Sequence, residues 1–358
     1  MTHPPESSPS PDSSDERPFG VAFLGCGAIA RRHAKLIGHE HRTTCRYFAS
    51  RDDAKADEVN RQLSGAGHFG SYEAALADER IDVAIITTPT MRHLDLTLAA
   101  LAAGKDVIVE KPPFMRSTDF DQVEAAERAS GKRVFVAENY YYRPLVRTLR
   151  EHITAGSIGE VRYLIVKALK DQKTGGWRDD VGMAGGGASF EGGIHWVNFM
   201  GALGLSIEAV HGYRPGAGER ESGKAGGSVD TPALPLSRFP ADPPERSMLL
   251  VARYTEGAIG TLFHAWDTPS LLKGLRLSRI YGTDGSIAFE SNGLFVLMFG
   301  KRPRIIFPGF RDISGYKAMF ADFFHAIRTG AQPEMSLARA RRDLELVEAA
   351  YRTSRSET

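Results

Sequence analysis

Cysteine is nearly missing from this chain: there are two in 358 residues, Cys26 and Cys45. So few thiols cannot staple a fold of this length, and their scarcity points to a reduced compartment with no disulfide. An excess of one charge is missing too. Lys plus Arg total 45 against 44 for Asp plus Glu, a net charge of +1, which leaves none of the basic surplus that marks a nucleic-acid binder. No stretch reaches the roughly 20 uninterrupted apolar residues that a membrane span requires. The first 16 residues lack an apolar h-region and an early positive cluster, so they do not read as a secretory signal. They are rich in Pro, Ser, Asp and Glu, and residues 1–17 are expected to form a disordered leader. The expected address is the cytoplasm. No His, Cys, Asp or Glu set has usable metal-ligand spacing, so no metal is expected.

What is present is 42% hydrophobic residues over 358 positions, enough for a large core and two domains. Short apolar runs at 19–24, 45–49, 81–87, 107–110 and 134–137, with a short segment at Phe69, alternate with helical stretches ending at Ile37 and spanning 54–63, 94–103 and 120–129. Strand–helix alternation of this kind predicts an α/β Rossmann domain, a doubly wound parallel sheet, over residues 18–138. The rhythm then changes. Runs at 161–169, 248–254, 258–266, 276–281, 286–290 and 294–299 are separated by turn pairs such as Glu256-Gly257, Asp284-Gly285 and Asn292-Gly293. These favour hairpins. Residues 139–358 are therefore expected to form an α+β domain with a large, mainly antiparallel open sheet, closed by helices at 317–328 and 337–353. A Gly-, Pro- and Ser-rich insert at 213–247 reads as a flexible surface flap or as a lid over the site.

Between the first strand and first helix stands Gly25-Cys26-Gly27-Ala28-Ile29-Ala30. A Gly-x-Gly-x-x-Ala turn in that position is the dinucleotide fingerprint. Gly25 permits the tight turn, Gly27 lets the backbone approach a pyrophosphate, and the small third residue lets helix and strand pack closely. Ala28 and Ile29 open the helix whose N–H groups face the phosphates. At the end of the second strand, where an acid would hold the adenine ribose, the chain has Ser50 and Arg51. A hydroxyl and a guanidinium suit a 2′-phosphate, which favours NADP over NAD. The competing reading makes Asp52 the ribose ligand and leaves Arg51 solvated.

Glu110-Lys111-Pro112 follows a parallel strand, at the end where open α/β sheets bind ligands. Beside a nicotinamide, Lys111 can hydrogen-bond the reacting hydroxyl and lower its pKa. Glu191 and His195, four apart, share a face if helical, and His195 is suited to accept the hydroxyl proton.

Thr88-Pro89-Thr90-Met91-Arg92-His93 together with Glu110-Lys111-Pro112 resembles the signature pair of the Gfo/Idh/MocA oxidoreductases. Gly185-Gly186-Gly187, followed by Glu191-Gly192-Gly193-Ile194-His195, resembles that family's Gly-Gly…Asp-x-Gly-x-His element. The ending from Tyr316 through Phe323-Phe324 to Ala350-Tyr351 is similar to its terminal helices. The resemblance implies that Lys111 and His195 are the acid/base pair, with Glu191 in support. It also implies that Thr88, Pro89, His93, Glu110, Lys111, Asn139 and Arg178 lie on the cofactor. Trp177 and Tyr142 would join Lys111, Glu191 and His195 around the substrate, although which of Asn139 and the tyrosines 140–142 lines the pocket stays open. Two departures stand out: Glu191 and Asn198 replace usual Asp residues. The function implied is an NADP-preferring dehydrogenase, with NAD as the alternative cofactor, acting on a hydroxyl or carbonyl carbon of a sugar, polyol or related small molecule. The alternatives are a redox-neutral glycosidase, epimerase or lyase with tightly bound NAD, and a dinucleotide-binding regulator. A broad sheet with one uncovered face further predicts a homodimer or homotetramer, using the strands that contain Val251, Leu262 and Leu277.

Overall fold

The computed structural model describes residues 17–37, 44–215, 244–269 and 275–354. The leader, apart from Arg17, and all but the two ends of the 213–247 insert lie outside the described residues. The chain groups into two compact units, one through Ala84 and one from Ile85 onward.

The first unit runs β1 (Phe19–Leu24), α1 (Ala28–Ile37), β2 (Thr44–Ala49), α2 (Asp53–Gln62), β3 (Gly67–Phe69) and α3 (Tyr72–Ala77), and ends inside β4 (Val83–Ile86). β1, β2 and β3 pair in parallel. Val21 to Leu24 are wholly buried, as a strand covered on both faces must be, which explains the unbroken apolar run. Local side chains start the helices. The Asp52 carboxylate accepts the Lys55 N–H at 3.2 Å to cap α2, and the Ser71 hydroxyl accepts the Ala74 N–H at 3.0 Å to cap α3.

The second unit continues with α4 (His93–Ala102), β5 (Asp106–Val109), α5 (Asp119–Ser130) and β6 (Val134–Val136). The six strands are ordered β3-β2-β1-β4-β5-β6, the doubly wound order in which strand C-termini form a ligand-binding edge. Next come α6 (Pro144–Thr154), β7 (Val161–Leu169), α7 (Val181–Ala184), α8 (Ile194–Gly201), β8 (Ile207–Tyr213), β9 (Ser247–Tyr254), β10 (Ile259–Ala265), β11 (Leu277–Gly282), β12 (Ser286–Glu290), β13 (Val296–Phe299), β14 (Arg304–Ile306), α9 (Tyr316–Thr329) and α10 (Leu337–Thr353). The sheet order is β14-β13-β12-β11-β7-β10-β9-β8. Every neighbouring pair is antiparallel except β7 with β10. The three turn pairs named above connect β9 to β10, β11 to β12 and β12 to β13.

Burial alternates along β9 and β10, so one face of the sheet is covered and the other is open. Leu262, Leu250, Phe289 and Ile280 point to the covered side, whereas Tyr163, Phe263 and Leu277 are exposed. Among the described residues, six labelled elements lie outside the segments read from the sequence: α3, α6, α7, α8, β8 and β14. α3 is six residues long and β14 three, too short to show a period, and β8 carries Glu208, His211 and Gly212 in an otherwise apolar strand.

Candidate active site

In the first unit, β1 ends at Leu24 and the chain turns at Gly25 with φ +112°, a conformation that favours glycine. Its N–H donates to the Ala49 carbonyl at the end of β2, at 3.0 Å. A Cβ placed on Gly27 would meet no atom within 4 Å, so the space before the start of α1 is open to a ligand. The first turn of α1 has no acid. Burial pushes the Cys26 thiol pKa up, and the positive charges of Lys55 and Arg31 oppose that shift, so two cations lie near the loop. Open glycine, helix N-terminus and positive field together fit a dinucleotide pyrophosphate. Ser50 donates its N–H to Phe69 and accepts the Asp52 N–H on its hydroxyl, both at 3.2 Å. The Asp52 carboxylate is engaged in capping α2, while Arg51 is exposed.

In the second unit, Lys111 follows β5, and its ammonium donates to the Glu191 carbonyl at 2.8 Å. Its N–H donates to the Glu110 carboxylate at 3.1 Å. His93 is buried, with Nε2 2.9 Å from the Thr88 carbonyl and Nδ1 3.0 and 3.2 Å from those of Pro112 and Pro113. All three carbonyls are acceptors and a neutral imidazole has one N–H, so the ring donates to one side and packs against the other, between the 88–90 turn and the segment that follows Lys111.

His195, in the first turn of α8, faces an acid that sequence reasoning missed. Its Nδ1 lies 2.7 and 2.9 Å from the two carboxylate oxygens of Glu138, and the Tyr140 ring stacks on it at 4.3 Å and 12°. Glu138 directly follows Ala137 after β6 and accepts the Tyr140 N–H at 2.9 Å. Burial pushes Glu138 up to about 8. Burial, reinforced by Lys111, drives His195 well below the usual histidine range. With Nδ1 held by the carboxylate, Nε2 is the ring nitrogen left for a substrate; it has no hydrogen-bond partner among the described residues. The signal for Glu138 was in the sequence: an acid at a parallel strand's C-terminal end, the same position that drew attention to Glu110 and Lys111.

Glu191 sits in a π-helical turn, Ser189–Gly193, just ahead of α8. Its carboxylate accepts the Arg178 Nε–H at 2.6 Å, and the Arg178 guanidinium lies 4.6 Å over the Trp177 ring. Glu191 thus links Arg178 through its side chain to Lys111 through its backbone. Glu245 braces the preceding glycine loop. Its carboxylate accepts from the Ser189 N–H at 2.9 Å and the Tyr351 hydroxyl at 2.5 Å, and its carbonyl from the Ala188 N–H at 2.8 Å. A Cβ on Gly187 would fall 2.0 Å from that carboxylate, so only glycine permits the approach.

Tyr142 lies apart from this group. Its hydroxyl donates to Asp322 at 2.6 Å and accepts the Met335 N–H at 3.1 Å, so Tyr140 is the tyrosine against His195. Asn139 donates to the Ser314 carbonyl at 2.6 Å; its buried Oδ1 and the buried Thr88 hydroxyl have no hydrogen-bond partner among the described residues. Pro89 precedes the 3₁₀ turn Thr90–Arg92. Asn198 is buried and donates to Asp343 at 2.6 Å, a structural role.

The fold and the placement of these residues define a dinucleotide-binding oxidoreductase architecture. Residues 19–138 match the model of the oxidoreductase family with an NAD-binding Rossmann fold, and residues 146–288 match the GFO/IDH/MocA C-terminal domain. The chain belongs to the Gfo/Idh/MocA oxidoreductase family. It is 31% identical to trans-1,2-dihydrobenzene-1,2-diol dehydrogenase of Mus musculus over 47% of this chain and 49% of that one. That match thus spans about half the length of the relative. With D-xylose 1-dehydrogenase (NADP(+)) 2 of Haloferax volcanii the identity is 25%, over 94% of this chain and 96% of the other. Among solved structures, levoglucosan dehydrogenase in complex with NADH and levoglucosan superposes with a TM-score of 0.80 at 21% identity, over 96% of this chain and 98% of that one. Among the described residues, no helix is long and apolar enough to cross a membrane.

Proposed function

We propose that this protein is an NADP-preferring dehydrogenase that interconverts a hydroxyl and a carbonyl on a sugar, polyol or related small molecule. The observation that carries the reading is the buried Glu138–His195 pair with Lys111 bonded to the neighbouring turn. When bound, the nicotinamide supplies a hydride acceptor or donor. Lys111 hydrogen-bonds the substrate oxygen and stabilises negative charge developing there. His195 Nε2 takes the hydroxyl proton as the carbon gives up its hydride, and the Glu138 carboxylate stabilises the imidazolium that results. Arg178, Trp177 and Glu191 form the adjoining wall, with the indole face suited to sugar C–H surfaces.

The preference for NADP rests on exposed Arg51 beside Ser50, with Asp52 engaged at the start of α2. For a homodimer or homotetramer, the support is the open sheet face: Tyr163 at 59%, Phe263 at 39% and Leu277 at 44% exposure form an apolar surface. An assay of NADP and NAD reduction against a panel of aldoses, polyols and glycosides tests the function. Turnover faster with NADP is expected. No cofactor reduction by any member, with the dinucleotide demonstrably bound, would overturn it.

A further inference from the structure

Beside the reacting pair lies a polar cluster that proton and hydride transfer leave unused. Lys170 immediately follows β7, His264 belongs to β10, Trp266 follows it, and Arg276 precedes β11. Because β7 lies between β10 and β11, three adjacent strands deliver all four. The Lys170 N–H donates to the Ala265 carbonyl at 3.0 Å, which fixes the base of its side chain. Its half-buried ammonium stands 5.8 Å from the Trp266 ring and has no carboxylate partner among the described residues. Arg276, by contrast, is committed: it donates to the Asn292 side chain at 2.6 Å and lies 5.6 Å over Trp196.

Two further donors are buried without hydrogen-bond partners among the described residues. His264 is 2% exposed and Trp266 5%, yet His264 Nδ1 and Trp266 Nε1 bond to nothing there. Both pack against the turn that holds Lys111. A Cβ on Gly192, next to Glu191, would lie 2.9 Å from the Trp266 ring and 3.2 Å from His264 Nε2. Burial lowers the Lys170 pKa, and the charges of Arg276 and Lys111 lower it further. Burial, then the charges of Lys170, Arg276 and Lys111, push His264 down to about 3, so that imidazole is neutral. Of the carboxylates nearby, Glu191 is engaged by Arg178, and Glu290 accepts the Arg276 and Asn292 backbone N–H groups. The Lys170 ammonium is therefore left without a carboxylate among the described residues, beside polar hydrogens without acceptors.

We propose that the substrate is a hydroxylated carboxylate, a sugar acid or polyhydroxy acid, whose carboxylate binds the Lys170 ammonium with Trp266 Nε1 and His264 as neighbouring donors. Its reacting hydroxyl lies at Lys111 and His195, so the inference rests on the dehydrogenase reading above. One uncommitted ammonium and two neutral N–H donors match a monoanion with two oxygens. A lysine can hold a phosphate ester as a point charge, but the bidentate guanidinium fork that suits such a group best is missing, because Arg276 is occupied elsewhere.

The test measures both binding and turnover. Protein saturated with NADPH is titrated by calorimetry with D-glucuronate, D-galacturonate and D-gluconate, with the neutral partners D-glucose, D-galactose and sorbitol, and with D-glucose 6-phosphate. The same compounds are assayed with NADP. At least one acid should bind about tenfold or more tightly than its neutral partner, in line with a charge-assisted hydrogen bond. Lys170→Met should bring that ratio close to one, while Lys170→Arg should keep most of it, which separates lost charge from lost folding. The proposal falls if no acid outbinds its neutral partner, if Lys170→Met preserves the ratio, or if the phosphate ester binds better than every carboxylate. Lys170-dependent acid binding without turnover supports it and overturns the dehydrogenase reading instead. Turnover of neutral sugars without preference for acids overturns this inference alone.

Discussion

Replacing Glu138 with Gln removes a charge and little else. The amide oxygen can still accept the Tyr140 N–H and the His195 Nδ1–H, which the carboxylate now receives at 2.9 and 2.7 Å. What disappears is the attraction between the carboxylate and the imidazolium that forms when His195 takes the substrate proton. With charge centres about 4 Å apart and an effective dielectric constant near 20, that attraction is about 4 kcal/mol, or roughly three decades in rate. Water cannot replace it, because the side chains of His195 and Glu138 are only 14% and 3% exposed. The expected result is a fall of about 10³ in kcat/KM for oxidation. The pH profile should change as well. Burial places Glu138 at about 8 and holds His195 low, so the titrating proton belongs to the pair. Oxidation needs the pair without that proton and reduction needs it present. In the native enzyme, kcat/KM for oxidation should therefore rise as pH increases through about 8, and that for reduction should fall. The Gln variant keeps only an imidazole with a depressed pKa, so its profile should be flat between about pH 7 and 9. Steady-state kinetics in both directions from about pH 6 to 9.5 test this. A loss below tenfold with the rise near pH 8 intact would refute the assignment.

Lys111→Met should lower kcat by at least about 10³ through loss of oxyanion stabilisation, while dinucleotide affinity, followed by cofactor fluorescence, shifts far less; retained turnover would remove Lys111 from the chemistry. Arg51→Ala should weaken NADP binding about 10- to 100-fold, the worth of a charge-assisted hydrogen bond, with a much smaller change for NAD; equal loss for both would restore Asp52 as the ribose ligand. Phe263→Glu combined with Leu277→Glu, on the open sheet face, should shift the sedimentation coefficient to that of a smaller species, and a native protein already monomeric at micromolar concentration would defeat the oligomer reading.

The six-stranded sheet was legible because its strands are buried on both faces and flanked by glycine turns. Val83 to Ile86 and Val107 to Val109 are wholly buried, and such segments cannot hide in a sequence. Lys111 and His195 stood out as candidates for a related reason, since each sits in a local motif whose neighbours repeat the message. The partner of His195 was not. Glu138 is 57 residues away, and only the packing of α8 against the turn after β6 brings the two together. The choice among the three tyrosines at 140–142 stayed open because it turns on rotation. The 3₁₀ turn Asn139–Tyr142 directs Tyr140 to His195 and sends Tyr142 to Asp322, a division that no periodicity could reveal.

Glu191 is the departure from the family pattern with the most direct chemical consequence. An Asp at this position would hold its carboxylate one methylene closer to the backbone, whereas the Glu191 carboxylate reaches Arg178 at 2.6 Å. The backbone carbonyl of the same residue receives Lys111, a contact that side-chain length does not alter. Glu191→Asp should therefore leave the lysine in place and loosen Arg178. Since Arg178 is 41% exposed, solvent screens the pair and its direct worth is at most about 1 kcal/mol. The change should appear as a rise in substrate KM of up to about fivefold, with kcat nearly constant. Because Glu138, and not Glu191, holds His195, the rise in oxidation near pH 8 should persist. A displaced pH profile in Glu191→Asp would mean that the two carboxylates share the proton, and the division of roles between them would fail.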